Sequence, residues 1–303
     1  MNAQRVLVTG AAGFIGSPTV DNLLAAGYDV HAVSQKPQPE RDGVRWHQAN
    51  LLDSAQTADL IDRVRPAYLL HLAWDVRHGL YWTSLLNFQW VQATLHLLHV
   101  FRERGGRRAV IAGTCAEYDW QYGYCVEDVT PPSLTTPYAT CKSGLYHMAR
   151  QYAEQTGLSL GWGRIFFPFG PGENPKRIVP YTIQSLLKGE PAATSHGNQL
   201  RDFLVVDDLA AAFVAFLASD VQGAVNLASG DPIRLKTVIL TIAELIGRED
   251  LLRIGERQAG DEPPLIVANT QRLNQAVGWQ PHYALREGLA LTIAWWKQQM
   301  GIV

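Results

Sequence analysis

Three glycines set the terms for what this chain can fold into. Gly10, Gly13 and Gly16 recur every third residue in RVLVTGAAGFIG, directly behind the apolar run Val6, Leu7 and Val8 and directly ahead of a helical pattern. A buried strand ending in such a turn lets the backbone come close to a pyrophosphate. The helix that follows aims its free N–H groups and the positive end of its dipole at the anion. The spacing predicts a dinucleotide site formed by Gly10, Gly13 and Gly16, with Phe14 and Ile15 between the last two. GxxGxxG also occurs in plain strand-to-helix connections, so the motif takes its meaning from what lies downstream.

Downstream, short apolar runs alternate with helical stretches. Strands are predicted at 6–9, 29–33, 44–48, 68–72, 108–113 and 159–164, and helices at 15–26, 57–64, about 81–104 and 138–156. This alternation implies an α/β fold, a Rossmann-like doubly wound parallel sheet whose ligand crevice opens at the carboxyl ends of the strands. After Phe167 the texture changes to Pro- and Gly-punctuated segments such as PFGPGENP, GEPAATSHGN and AGDEPP. A nucleotide-binding domain is therefore expected over residues 1–166, rejoined by 200–228. Residues 167–199 and 229–303 are expected to form a smaller substrate-binding lobe.

Composition narrows the partners. The 26 Lys and Arg nearly balance the 28 Asp and Glu, leaving a formal charge of −2, which favours neither nucleic acid nor an anionic membrane. Cys115, Cys125 and Cys141 are odd in number and lack CxxC spacing, so no disulfide framework or metal site is expected. No signal-like segment precedes the first strand and no apolar run reaches spanning length, which suits a cytoplasmic protein.

A second motif lies in PYATCKSG, residues 137–144, where Tyr138 and Lys142 form YxxxK. Four residues apart on a helix, they project from one face. A fixed ammonium favours the phenolate and lowers a phenol pKa that is ordinarily about 10, making the pair a plausible acid/base catalyst. At the end of the second strand, HAVSQKPQ places Ser34 where an NAD site usually carries an acid, with Lys36 and Arg41 nearby. The missing carboxylate favours NADP(H), with NAD(H) possible.

In combination, TGAAGFIG, Thr114 at the end of the fifth strand and YxxxK two dozen residues later resemble the extended short-chain dehydrogenase/reductases that act on nucleotide sugars. NLLD (50–53), HLAW (71–74), AGTCAEYD (112–119), RIFFPFGPGE (164–173), LRDFLVVDDLA (200–210) and GWQPHYALREGL (278–289) extend the resemblance over the whole chain. It implies Tyr138 as general acid/base, Lys142 as its modulator and ribose ligand, and Thr114 as the hydroxyl on the reacting oxygen. Asn50, Leu51, Leu72, Ala73 and Phe166 are implied to line the cofactor, and Phe167, Arg201 and Arg257 to meet the substrate. For Thr114 a strand-end turn hydroxyl, and for Arg201 an ordinary ion pair, are the competing structural readings. Asp207 and Asp208 match a turn into a helix, and no metal is assigned.

Departures from the family pattern shape the functional expectation. Trp90 stands where many relatives carry Asn, with Asn87 one turn earlier as a substitute. Phe167 also replaces an Asn. Cys115 and Ala116 follow Thr114 where dehydratases carry an Asp-Glu pair, with Glu117 displaced by a residue. An NADPH-dependent reductase of a 4-keto-6-deoxy nucleotide sugar is the leading expectation. The alternatives are an NAD-dependent nucleotide-sugar epimerase and a non-catalytic dinucleotide sensor. A homodimer is expected through the long helices near 83–101 and 138–152, where Leu85, Leu86, Leu95, Leu97, Leu98 and Val100 offer apolar surface.

Overall fold

The computed structural model describes residues 4–260 and 262–302. Seven parallel strands form its main sheet. These are β1 (Arg5–Thr9), β2 (Asp29–Ser34), β3 (Val44–Gln48), β4 (Tyr68–His71), β5 (Arg108–Thr114), β7 (Ser159–Ile165) and β11 (Gly223–Leu227), in the order β11-β7-β5-β4-β1-β2-β3. β6 (Tyr124–Cys125), β8 (Phe167–Phe169), β9 (Ala192–Thr194), β10 (Leu200–Val205), β12 (Pro232–Arg234), β13 (Leu252–Ile254) and β14 (Leu265–Ala268) form two smaller sheets. Apart from its edge strand β3, the main sheet is largely buried on both faces, which is why its strands read as apolar runs. Alternation along each strand divides two cores. Leu7, Ala109 and Ile111 face α2 (Ser54–Val64), α3 (Leu86–Glu103) and α4 (Pro137–Thr156). Val6, Val8, Val110 and Ala112 face α1 (Gly16–Ala25) and α6 (Val206–Ala218).

A third core, with Ile183, Phe203, Ile242 and Ile293, lies among α5 (Ile178–Leu187), α7 (Leu235–Ile246) and α8 (Leu285–Met300). Residues 200–205 pair with β8, β12 and β14, so the chain returns to the main sheet only with α6 and β11. The apolar run of β10 does not reveal which sheet it joins. Asp208, in the acidic pair at the start of α6, accepts from the backbone N–H groups of His282 and Tyr283, tying that helix to the C-terminal segment. Helix α3 begins at Leu86, not near 81. Leu97, Leu98 and Val100 are spent on the core beneath it, while Leu85, Phe88 and Met148 remain exposed.

The strand order changes direction between β1 and β4, and the crevice opens there. One histidine braces it. His71 Nδ1 lies 2.7 Å from Thr9 Oγ1 and its Nε2 lies 3.0 Å from Thr94 Oγ1, linking β1, β4 and α3 inside the protein. Burial, reinforced by the Lys142 charge, lowers its pKa to about 3. Above pH 6.5 the imidazole is neutral whether folded or unfolded. Below it the unfolded chain takes up a proton that the native state refuses, so stability falls as pH drops towards 3. This term costs about 2 kcal/mol at pH 5. Urea unfolding at pH 7 and pH 5 is expected to show the loss, and His71→Gln to shrink the difference between the two pH values; an undiminished difference would exclude His71 as its source.

Candidate active site

The glycine turn is tightly packed. Gly10 has φ +69°, and a Cβ there would lie 2.8 Å from Ala73 N, while one on Gly16 would collide with Gly10 O. The segment after β4 is fastened to the same place, because Leu72 N donates to Thr9 O and Ala73 N to Thr9 Oγ1. No side chain caps α1, whose N-cap residue is Ile15, so its opening N–H groups have no side-chain partner there. Close backbone approach and an uncapped helix start fit a dinucleotide pyrophosphate held by residues 10–16. Leu51 is buried in the neighbouring core, and the Asn50 side chain accepts from Gln35 Nε2 and Leu52 N. Ser34 Oγ accepts from Lys36 N and Gln38 Nε2 within its own loop, and Arg41 pairs with Asp21. Arg41 is thus engaged by a carboxylate, whereas Lys36 extends from an exposed turn.

Tyr138 is placed by the start of α4. Thr136 caps the helix by accepting from Ala139 N, Pro137 occupies the first turn, and Tyr138 N donates to Trp82 O at 3.2 Å. Its ring meets Tyr81 edge-on at 4.8 Å and Trp82 at 5.6 Å, and Trp82 in turn meets Trp120 at 6.1 Å. This aromatic wall keeps Tyr138 buried. Burial pushes the phenol above its ordinary range, and the nearby Thr114 hydroxyl draws it back down. The lowering by Lys142 anticipated from the sequence is not what governs the phenol. The Lys142 ammonium instead donates to Ala112 O at 2.9 Å and lies 3.7 Å from the centre of the Trp74 ring. Burial lowers its own pKa to about 7, with the Glu117 carboxylate opposing.

Thr114 ends β5 and caps a short turn by accepting from Ala116 N. Its hydroxyl therefore has both the turn role and the position beside Tyr138. Glu117 faces inward, where it accepts from Thr114 N, Trp162 Nε1 and Arg164 Nε. It offers no acid beside the phenol, and Cys115 and Ala116 supply none. Asn87, the suggested substitute for a missing asparagine, uses its amide to accept from Trp74 Nε1 and to donate to Tyr81 O and Ser84 O.

Arg201 is buried and donates to Leu200 O, Pro263 O and Glu262 Oε2, with its guanidinium 5.5 Å over the Phe167 ring. An incoming anion would have to displace Glu262. Arg257 donates to Tyr181 Oη. Phe166 packs on Cys115, Tyr118 and Cys125. The sequence reading missed the wall of Tyr81, Trp82 and Trp120 and the place of Trp74 beneath the lysine. Their signal was the density of aromatic residues over 74–90 and 118–124.

The model of the NAD dependent epimerase/dehydratase family matches residues 6–228. A UDP-glucuronate 4-epimerase of Thermodesulfobacterium geofontis is 25% identical, over 98% of this chain and 97% of its own. Among solved structures, MoeE5 in complex with UDP-glucuronic acid and NAD is 30% identical with a TM-score of 0.85, covering 97% of this chain and 99% of that one. The UDP-glucose 4-epimerase of Thermus thermophilus, in complex with NAD, is 26% identical with a TM-score of 0.83, at 97% and 99% coverage. With that family's model matching residues 6–228 and the fold shared with MoeE5, the chain belongs to the NAD dependent epimerase/dehydratase family and has the extended short-chain dehydrogenase/reductase fold.

Proposed function

We propose that the protein is a nucleotide-sugar 4-epimerase working with a retained NAD. The observation that carries this reading is the convergence of Thr114, Tyr138 and Lys142 at the crevice with no further acid beside them among the described residues, since Glu117 is committed to the protein interior. The set can move one proton at one oxygen, which epimerisation by oxidation and re-reduction requires. It lacks the extra acid that elimination of water would need. The 4-epimerases among the relatives support the same reading.

NAD would be held at the glycine turn of residues 10–16 and would supply a hydride acceptor and donor at the sugar C4. The chain's part is proton transfer and positioning. Tyr138, as a phenolate formed once charge arrives with the ligands, accepts the proton of the C4 hydroxyl and later gives it back, while Thr114 holds that oxygen and Lys142 is the candidate ligand of the nicotinamide ribose. The aromatic wall keeps water from the phenol. Arg201 is the candidate for the substrate pyrophosphate, with Glu262 as the group displaced. A UDP-hexose or UDP-uronate is the substrate class favoured by the relatives.

A second reading, the NADPH-dependent 4-keto-6-deoxy sugar reductase, keeps one observation in its favour: no carboxylate stands at Ser34, and Lys36 is exposed beside it. Nucleotide released on denaturation separates the two. NAD or NADH at near one per chain is expected, and NADP(H) would favour the reductase. Tyr138→Phe is expected to retain that nucleotide yet to lower interconversion of UDP-glucose or UDP-glucuronate with its C4 epimer by roughly a hundredfold to ten-thousandfold. Full activity in this variant would remove the phenol from the mechanism. The reading also includes a two-fold dimer through α3 and α4, near the exposed Leu85, Phe88 and Met148. Light scattering is expected to give twice 33.6 kDa, and a 33.6 kDa species at micromolar concentration would contradict it.

A further inference from the structure

Among the described residues Lys142 has no carboxylate of its own. The charged and titratable groups around it come from three elements. Tyr138 lies on the same helix, His71 on β4 is neutral, and Glu117 after β5 is already bound by Arg164, Trp162 and the Thr114 N–H. One ammonium hydrogen is taken by Ala112 O. What covers the charge otherwise is aromatic. The nitrogen is 3.7 Å from the centroid of Trp74, a distance reachable only over the face of the ring, and 6.0 Å from that of Trp162.

The Trp74 ring is itself fixed. Its N–H donates to Asn87 Oδ1 at 2.8 Å, and the Asn87 amide is held by Tyr81 O at 2.7 Å and Ser84 O at 2.8 Å. It also stacks with Trp90, the centroids 5.9 Å apart and the planes 28° from parallel. Donating that N–H leaves the indole face richer in electrons, and a cation over an indole gains most where water is excluded. We propose that Trp74 is a positioning residue whose indole face serves as the counter-charge of Lys142, keeping the ammonium protonated and aimed at the catalytic crevice. Trp90, which departs from the family pattern, and Asn87 one turn earlier then act together as the mount for this ring.

The inference rests on the proposed function only for the role of Lys142, so its test uses no turnover. The chain has six lysines, and the five others lie outside the core. Protein labelled with 13C at lysine Cε is titrated by NMR. In the native protein one ε-methylene is expected upfield of the rest, shifted by the ring current of Trp74, and titrating below them. Trp74→Leu, which fills much of the space without a π face, is expected to abolish that upfield displacement and to lower the titration midpoint by about one pH unit, a tenfold change in acidity. Trp74→Phe, with a weaker face, is expected to lower it by less. A midpoint that stays put in Trp74→Leu, or rises because water enters, overturns the proposal. Should Trp74→Leu not fold, Trp74→Phe decides by the same criterion. Absence of epimerase activity in the native protein, with the lysine shifting as expected in the Trp74 variants, would instead point to the proposed function as the error.

Discussion

Glu117 is fully inside the protein, and its oxygens hold together the elements that carry the site. They accept from Thr114 N at 2.8 Å, from Trp162 Nε1 at 3.0 Å and from Arg164 Nε at 2.8 Å. Removing two opposite charges from water costs several kcal/mol for each ion unless geometry and further hydrogen bonds offset it. Here the offset is extensive, because the Arg164 guanidinium also lies over the rings of Tyr118 at 4.4 Å and Tyr146 at 5.1 Å. The pair locks the end of β5 to β7. Gly113 lies at the crossing, where any Cβ would strike the Trp162 indole and sit 2.7 Å from Glu117 Oε1. The backbone turn that presents the Thr114 hydroxyl follows from this packing.

From that fixed strand end the rest of the site is assembled by burial. Tyr138 is surrounded by rings, Lys142 by an indole face and a carbonyl, and His71 by two threonine hydroxyls. Each titratable group is therefore shifted towards its uncharged form by loss of water. Such a site binds a proton at the phenol firmly until charge arrives from the ligands, which suits a group that must take up and release one proton at a single oxygen.

The main sheet was legible because its physics is local. Strands buried on both faces read as apolar runs, the glycine turn is written in three residues, and PYATCKSG carries its own cap, proline and catalytic pair. Less legible was anything decided by distant partners. The sequence places Tyr138 and Lys142 on one face, yet whether the ammonium tunes the phenol depends on Ala112 and Trp74, remote in sequence. Glu117 reads as a displaced acid until Trp162 and Arg164, some 45 residues on, are found against it. Arg201 reads as an anion ligand, and only the fold brings Glu262 to it. The leucines of α3 looked like dimer surface because nothing local tells how much of a helix its sheet will cover.

The central claim is that these residues serve an oxidation and re-reduction at one sugar carbon with nothing consumed. Among the described residues no helix is long and apolar enough to cross a membrane. UDP-glucose or UDP-glucuronate carrying deuterium at C4, supplied without added nucleotide in ordinary water, gives the most direct measurement. The account predicts that the C4 epimer forms and keeps its deuterium at C4. Loss of that deuterium to the solvent, or turnover only when NADPH is supplied and consumed, would contradict it.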